Sequence, residues 1–365
     1  MTKQDARITR RATLGIGASL IAGYGLRAQP AFAQAGRTEG EVVFAGYGGT
    51  FEQFARNELI PAFEKQTGIK VRFVVGTALS NFAKVMASRA SPEIDLYWSN
   101  ELTHVAGKQQ GLYEKLDPAI CTNLADVTES AKDPDNIGVA SYVMATGIQY
   151  NSKAFADAGM PAPSAWSDLW DPRLKGKIAL YNFSVAYSQD LLAILTRLAG
   201  GTEKDIRPGL ERVKALRTSG NLAMFASSPA ELDNMLVQGQ AWATVNGSPR
   251  GFILKDRGAP IDFAFPKEGA GFFANYFEAV KNAPHPKAAQ TLINFLIGPE
   301  MQLAIANGMV AAPINRKVVL SDKLKAQTPS SEAEIKKLIR IDRVEMNKQL
   351  DNWAELWNRE IEAKR

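Results

Sequence analysis

The sequence predicts an α/β protein made of two α/β units joined by extended strands. Three observations carry this. Strand and helix signals alternate through the first 115 residues in a βαβαβα rhythm, which points to a mainly parallel sheet flanked by helices. A second strand–helix series runs from about 177 to 248. Two apolar segments, 140–150 and 271–281, have no helical period, and they suit a hinge better than a floppy tether.

The first strand is Glu41-Val42-Val43-Phe44-Ala45, stopped by Gly46-Tyr47-Gly48-Gly49. Thr50 is expected to cap a helix with apolar positions at Phe51, Phe54, Ala55, Leu59 and Phe63, ended by Thr67-Gly68. Residues 69–75 alternate and form a second strand; a helix follows over 80–87, a strand over 94–98 and a helix over 102–110. In the second series, 177–181 is a strand leading through Asn182-Phe183-Ser184 into a helix at 189–198. Helices are expected at 206–219 and 231–238, and a strand at 241–245 ends in Asn246-Gly247-Ser248. Helices follow at 286–297 and 299–307. The tail from about 330 to 364 reads as helical, with Ile335, Leu338, Ile339, Val344, Leu350, Trp353 and Leu356 on one stripe.

The first 33 residues read as an export signal. Arg10-Arg11 borders a mild apolar run from Leu14 to Leu26, and Ala31-Phe32-Ala33 is a small-x-small cleavage pattern. The paired arginines point to the twin-arginine route and a mature chain from near Gln34. The alternatives are a general export signal with a chance Arg-Arg, or a membrane anchor, for which the run falls short of the ~20 apolar residues a span needs. The whole chain has 43 Lys+Arg against 38 Asp+Glu, a net of +5. Five of those bases and one acid lie in the signal, so the mature chain keeps 38 against 37 and a net of +1. The pI of about 9.1 is therefore no argument for nucleic acid. No apolar run after residue 34 approaches membrane length, so the mature protein is expected not to be membrane-embedded.

The residue inventory excludes several chemistries. The single cysteine, Cys121, permits no internal disulfide and reads as a small buried hydrophobe. There are two histidines: His104 inside a helix pattern and His285 at the surface start of a helix. No Cys/His pair has metal-ligand spacing, so no metal site is expected. No Gly-x-Ser-x-Gly elbow, Walker A or dinucleotide fingerprint is present, and no catalytic residue or cofactor is assigned. What remains is a set of strand ends rich in small, amide and aromatic residues. The candidate ligand-binding residues are Tyr47, Gly48, Gly49, Thr50, Asn100, Glu101, Asn182, Asn246, Phe273, Asn275 and Tyr276. Strand ends of an open parallel sheet face one crevice, where ligands bind. Each of these residues also has a plain reading as turn or core.

Ala45-Gly46-Tyr47-Gly48-Gly49-Thr50 and Ala62-Phe63-Glu64-Lys65-Gln66-Thr67-Gly68 resemble the start of a periplasmic solute-binding protein of an ABC importer. So do Gly147-Ile148-Gln149-Tyr150-Asn151 and 165–178, which begins Ala165-Trp166-Ser167-Asp168-Leu169-Trp170. Residues 258–262, 265–269 and 289–296 are similar to the spermidine/putrescine-binding family in particular. The resemblance implies a type II periplasmic-binding-protein-like fold, with a hinge between two lobes. It divides the chain into the signal peptide 1–33, one lobe of 34–140 with 276–318, and a second of 141–275 with 319–365. The implied crossings fall near 141–146 and 273–279. It further implies a soluble monomer that delivers a small solute to permease subunits.

Carried over by position, Tyr47 supplies the family's aromatic after the first strand, and Asn100 stands where a hydroxyl residue is usual. Asn182, Phe183 and Ser184 replace acidic residues, Val245 replaces a tryptophan, and Phe273-Ala274-Asn275 replaces aromatic-x-Asp. An ammonium ligand wants carboxylates and aromatic faces, so simple polyamines are expected to bind weakly unless Glu101 or Glu278 substitutes. No Tyr-Tyr pair, as used by ferric-iron binders, occurs. The resulting expectation is capture of a small polar organic solute, amine-like by resemblance. The alternatives are a neutral or anionic metabolite, an exported enzyme on the same scaffold, or a sensory binding module.

Overall fold

The computed structural model describes residues 40–363; the Arg10-Arg11 signal and its cleavage pattern lie outside them. β1 (Glu41–Tyr47) forms from a run that is apolar on both faces, and Val42 to Ala45 are all buried, as expected of a strand inside a parallel set. β2 (Lys70–Gly76) and β3 (Leu96–Asn100) pair with β1 in parallel on its two sides. Between β1 and β2, α1 (Thr50–Phe54) passes through a π turn (Ala55–Leu59) into α2 (Ile60–Thr67). Pro61 has no N–H to give the preceding turn, and the wider turn sits directly before it. α3 (Ala78–Ala87) and α4 (Glu101–Gln109) begin two and one residues before the expected positions, because Thr77/Ser80 and Asn100/Thr103 close capping boxes.

β4 (Val139–Asn151) is a 13-residue strand, buried throughout, and α5 (Ser152–Asp157) follows it. β5 (Ile178–Tyr181) leads into α6 (Ala186–Leu198) and α7 (Arg207–Thr218). β6 (Leu222–Ala226) comes next, then α8 (Pro229–Val237), β7 (Ala243–Gly247), α9 (Ser248–Asp256) and β8 (Ile261–Ala264). The sequence reading did not foresee β6, β8 or α9. β6 and β8 are short and only half-buried, so their alternation is weak. β9 (Gly271–Ala279) is followed by α10 (Pro286–Leu296), α11 (Pro299–Met309), α12 (Asp322–Gln327), α13 (Glu332–Lys337) and α14 (Arg343–Trp357).

The strands form one nine-stranded sheet in the order β2-β1-β3-β9-β4-β7-β5-β6, with β8 on β4. Each end of that order is a parallel trio. The two long strands β4 and β9 cross the middle and add the antiparallel part. One core gathers Phe44, Leu59, Phe63, Trp98 and Leu292 and runs under the crossing strands through Val143 and Phe272. A second gathers Leu180, Leu191, Ile194, Val213, Trp353 and Trp357. The fold is therefore two-lobed α/β, with β4 and β9 as the links.

The tail is not one helix. Residues 338–342 are extended: Ile339 donates its N–H to Ala270 and accepts from Phe272, so this stretch docks beside β9. Asp342 then caps α14 through Glu345 N–H. Ile335 and Leu338 join the first core, while Met346, Trp353, Trp357 and Ile361 fill the second. Val344 points outward at 38% exposure, because the buried stripe is set by 346, 353 and 357. His285 is also less exposed than expected; its side chain is 12% exposed and lies 2.9 Å from Asp95. Cys121 is fully buried, and burial pushes its thiol up to about 12.

Candidate functional site

A cavity of about 410 Å³ opens where four strand–helix turns meet the crossing strands. α1 and α11 contribute Phe51 and Met309, and β4 and β9 contribute Tyr142, Met144 and Asn275. The other wall is Tyr187 in the first turn of α6, Pro229 and Asp233 of α8, and Pro249, Arg250, Ile253, Leu254 and Arg257 from α9 and its end. Helices on both sides of the crossing strands thus present side chains to one space. A larger hollow of about 510 Å³ is lined wholly by residues 265–270 and 325–338, a single region of the surface.

Tyr142 and Asn275 face each other across the β4–β9 register, and Asn275 Nδ2 donates to the Tyr142 hydroxyl. Burial holds the Tyr142 phenol well above its ordinary value, and pushes Tyr187 up to about 12. Both therefore keep their protons. Tyr187 lies 6.2 Å from Phe273, and a Cβ added at Gly247 would come within 2.5 Å of the Tyr187 hydroxyl. Only glycine allows that approach. Arg250 grips Asp233 with two hydrogen bonds, Nε to Oδ1 at 2.9 Å and Nη2 to Oδ2 at 2.5 Å. Burial works against the Arg250 charge, and the Asp233 contacts outweigh it and raise its pKa. Arg257 lines the cavity with no carboxylate partner among the described residues. The first turns of α6 and α9 carry neither a side-chain cap nor an acid, so their N–H groups favour negative charge.

The residues singled out from sequence are distributed unevenly around this space. Asn275 lines it. Tyr47 stacks behind the wall, 5.2 Å from Phe51 and 5.6 Å from Trp98, with its hydroxyl buried and without a partner among the described residues. Gly48 and Gly49 make the turn into α1; Gly49 has φ 68°, the left-handed region glycine favours. Thr50 is the first residue of α1. Asn100 caps α4 by accepting from Thr103 N–H at 2.9 Å. Asn182 closes β5, its N–H donating to Ala226. Asn246 is fully buried and ties three strands, donating to Gln149 at 2.7 Å and to the Tyr181 hydroxyl at 3.1 Å. Phe273 is buried beside Tyr187. Tyr276 points to the opposite face and stacks on His104 at 4.0 Å.

The two acids that could have substituted for missing carboxylates are engaged elsewhere. Glu101 takes Arg343 Nε at 2.8 Å, and Arg343 Nη1 reaches Asp190 at 2.6 Å. Glu278 accepts from Ser99 at 2.9 Å and lies 2.7 Å from His104 Nδ1. Neither lines the cavity. Sequence reasoning counted Phe51 among the strand-end residues without listing it as a ligand contact, and missed Tyr142, Tyr187, Arg250 and Arg257. Tyr142 emerges only from the β4–β9 register, which sets it opposite Asn275 just past a bulge; Arg250 and Arg257 required knowing that a helix starts at Ser248.

A family described as bacterial extracellular solute-binding proteins matches residues 58–329. The spermidine/putrescine-binding periplasmic protein of Escherichia coli K12 is 28% identical over 257 residues, covering 68% of this chain and 71% of that protein. The gamma-aminobutyric acid-binding protein of Pseudomonas aeruginosa is 23% identical over 303 residues, 78% of this chain and 80% of that one. An ABC transporter structure from Clostridium perfringens superposes with a TM-score of 0.75 at 24% identity, covering 88% of this chain and 99% of that one.

Proposed function

This chain belongs to the bacterial extracellular solute-binding protein family, and on that premise we propose that it captures a small polar organic solute between its lobes and delivers it to the permease subunits of an ABC importer. The observation that carries this is the 410 Å³ cavity walled by helices from both cores and crossed at its base by β4 and β9. A ligand touching both walls favours the closed arrangement by its differential contacts. The lobes we assign are 34–140 with 276–318 and 141–275 with 319–365, except that α13 sits with the first, where Ile335 and Leu338 pack. We place the mature protein in the periplasm as a monomer, exported through Arg10-Arg11 and cleaved after Ala33. Among the described residues no helix is long and apolar enough to cross a membrane.

Simple polyamines are poor ligands in this reading. Among the described residues the only carboxylate lining the cavity is Asp233, already held by Arg250. The test is to purify the exported protein, release its contents by unfolding, identify the solute by mass spectrometry and titrate it back. One solute bound per chain and recovered unchanged supports a carrier. Turnover of the solute, or no retained solute and no saturable binding, contradicts it.

A further inference from the structure

We infer that the solute taken by this cavity carries a negative charge held at Arg257, on a short aromatic or aliphatic body; this rests on the solute-binding reading above. Charge comes first. Asp233 and Arg250 neutralise each other through a bidentate pair, which leaves Arg257 as the one lining cation without an ion pair or hydrogen bond among the described residues. A cavity with a net positive wall and, among the described residues, no free carboxylate repels a diamine and attracts an anion. The neutral groups point the same way. The Tyr187 hydroxyl keeps its proton and has no partner among the described residues. The uncapped first turns of α6 and α9 each place a residue on the wall, Tyr187 and Arg250. These are donors gathered on the second-lobe side.

The opposite side is apolar. Phe51 and Met309 offer flat and adaptable surface with no charge. A molecule with one anionic end toward Arg257 and an apolar body toward Phe51 therefore contacts both lobes at once. A carboxylate and a phosphate monoester share the chemistry that Arg257 recognises.

The experiment uses the exported protein stripped of its retained solute. Phenylacetate, phenyl phosphate, phenethylamine and spermidine are titrated by calorimetry, and native mass spectrometry reads the charge class of the retained solute. Phenylacetate or phenyl phosphate is expected to bind, the stronger naming the headgroup, with the isosteric amine and spermidine at least tenfold weaker. R257Q should weaken the anion tenfold or more, and R257K should restore part of it. Tighter binding of phenethylamine or spermidine than of the two anions, or an anion affinity unchanged in R257Q, overturns the inference. If no probe binds, the retained solute decides: an anion lost in R257Q supports the inference, and a cation overturns it while leaving the carrier reading intact. Absence of any retained or saturating solute overturns the carrier reading itself.

Discussion

Arg343 holds two acids from different elements, Glu101 at the start of α4 and Asp190 in α6, and all three are buried. Thr146 adds a hydrogen bond to Asp190 at 3.0 Å. Removing one member of such a group costs more than the group contributes, because unpaired charges stay buried. R343M is therefore expected to lower stability by about 3–5 kcal/mol, measured by urea unfolding. Burial already raises Glu101 against the pull of Arg343; without Arg343 it rises further, so part of that loss should be recovered as pH falls through the carboxylate range. A second residue sets a different pH window. Burial opposes the His104 charge, but Glu278 and Asp133 overcome it and raise His104 to about 9. Its contribution is complete below about pH 6.5 and is lost as pH rises through 9, on the order of 3 kcal/mol. The wild-type protein should lose stability across that window, and H104Q should show a flatter profile there. Equal slopes would remove His104 from this role.

Elements with strong local signals were legible in the sequence. Val42-Val43-Phe44 reads as a strand, and the helices after β2 and β3 start within two residues of where they are expected, at the caps Thr77 and Asn100. Elements fixed by tertiary contacts were not legible. Residues 338–342 look helical by spacing, yet Ile339 is drawn into hydrogen bonds with Ala270 and Phe272. α9 was missed because Asn246-Gly247-Ser248 reads as the end of a strand, and nothing local shows that Ser248 also starts a helix. Gly247 is the pivot of that junction: its bare Cα lets Tyr187 stand against the strand end. G247A should push the Tyr187 ring toward the cavity and weaken the retained solute about tenfold, with little change in the unfolding midpoint. Unchanged affinity would show that this approach does not shape the site.

At the scale of the molecule, two cores share one sheet; β4 supplies side chains to both, and β9 pairs with it on the side of the first core. That plan was legible, because the two apolar segments without helical period stand out between the strand–helix series. The cavity was legible only in outline. Strand ends pointed to the crevice, but capping and sheet-tying duties claimed Asn100 and Asn246, and the wall residues sit one helical turn further on. The solute should close the lobes about β4 and β9, reducing the radius of gyration in solution scattering; an unchanged value at saturation would refute closure. The central claim is that the solute sits between the cores, against Phe51 on one side and Tyr187 on the other. Calorimetric titration of the retained solute into wild type, Y187A and K337A tests it most directly, since Lys337 lines only the other hollow. Y187A is expected to lose affinity at least tenfold, matching about 1–2 kcal/mol for a lost aromatic wall, and K337A to lose none. Equal affinity in wild type and Y187A, with a loss in K337A, would place the solute in the other hollow and contradict it.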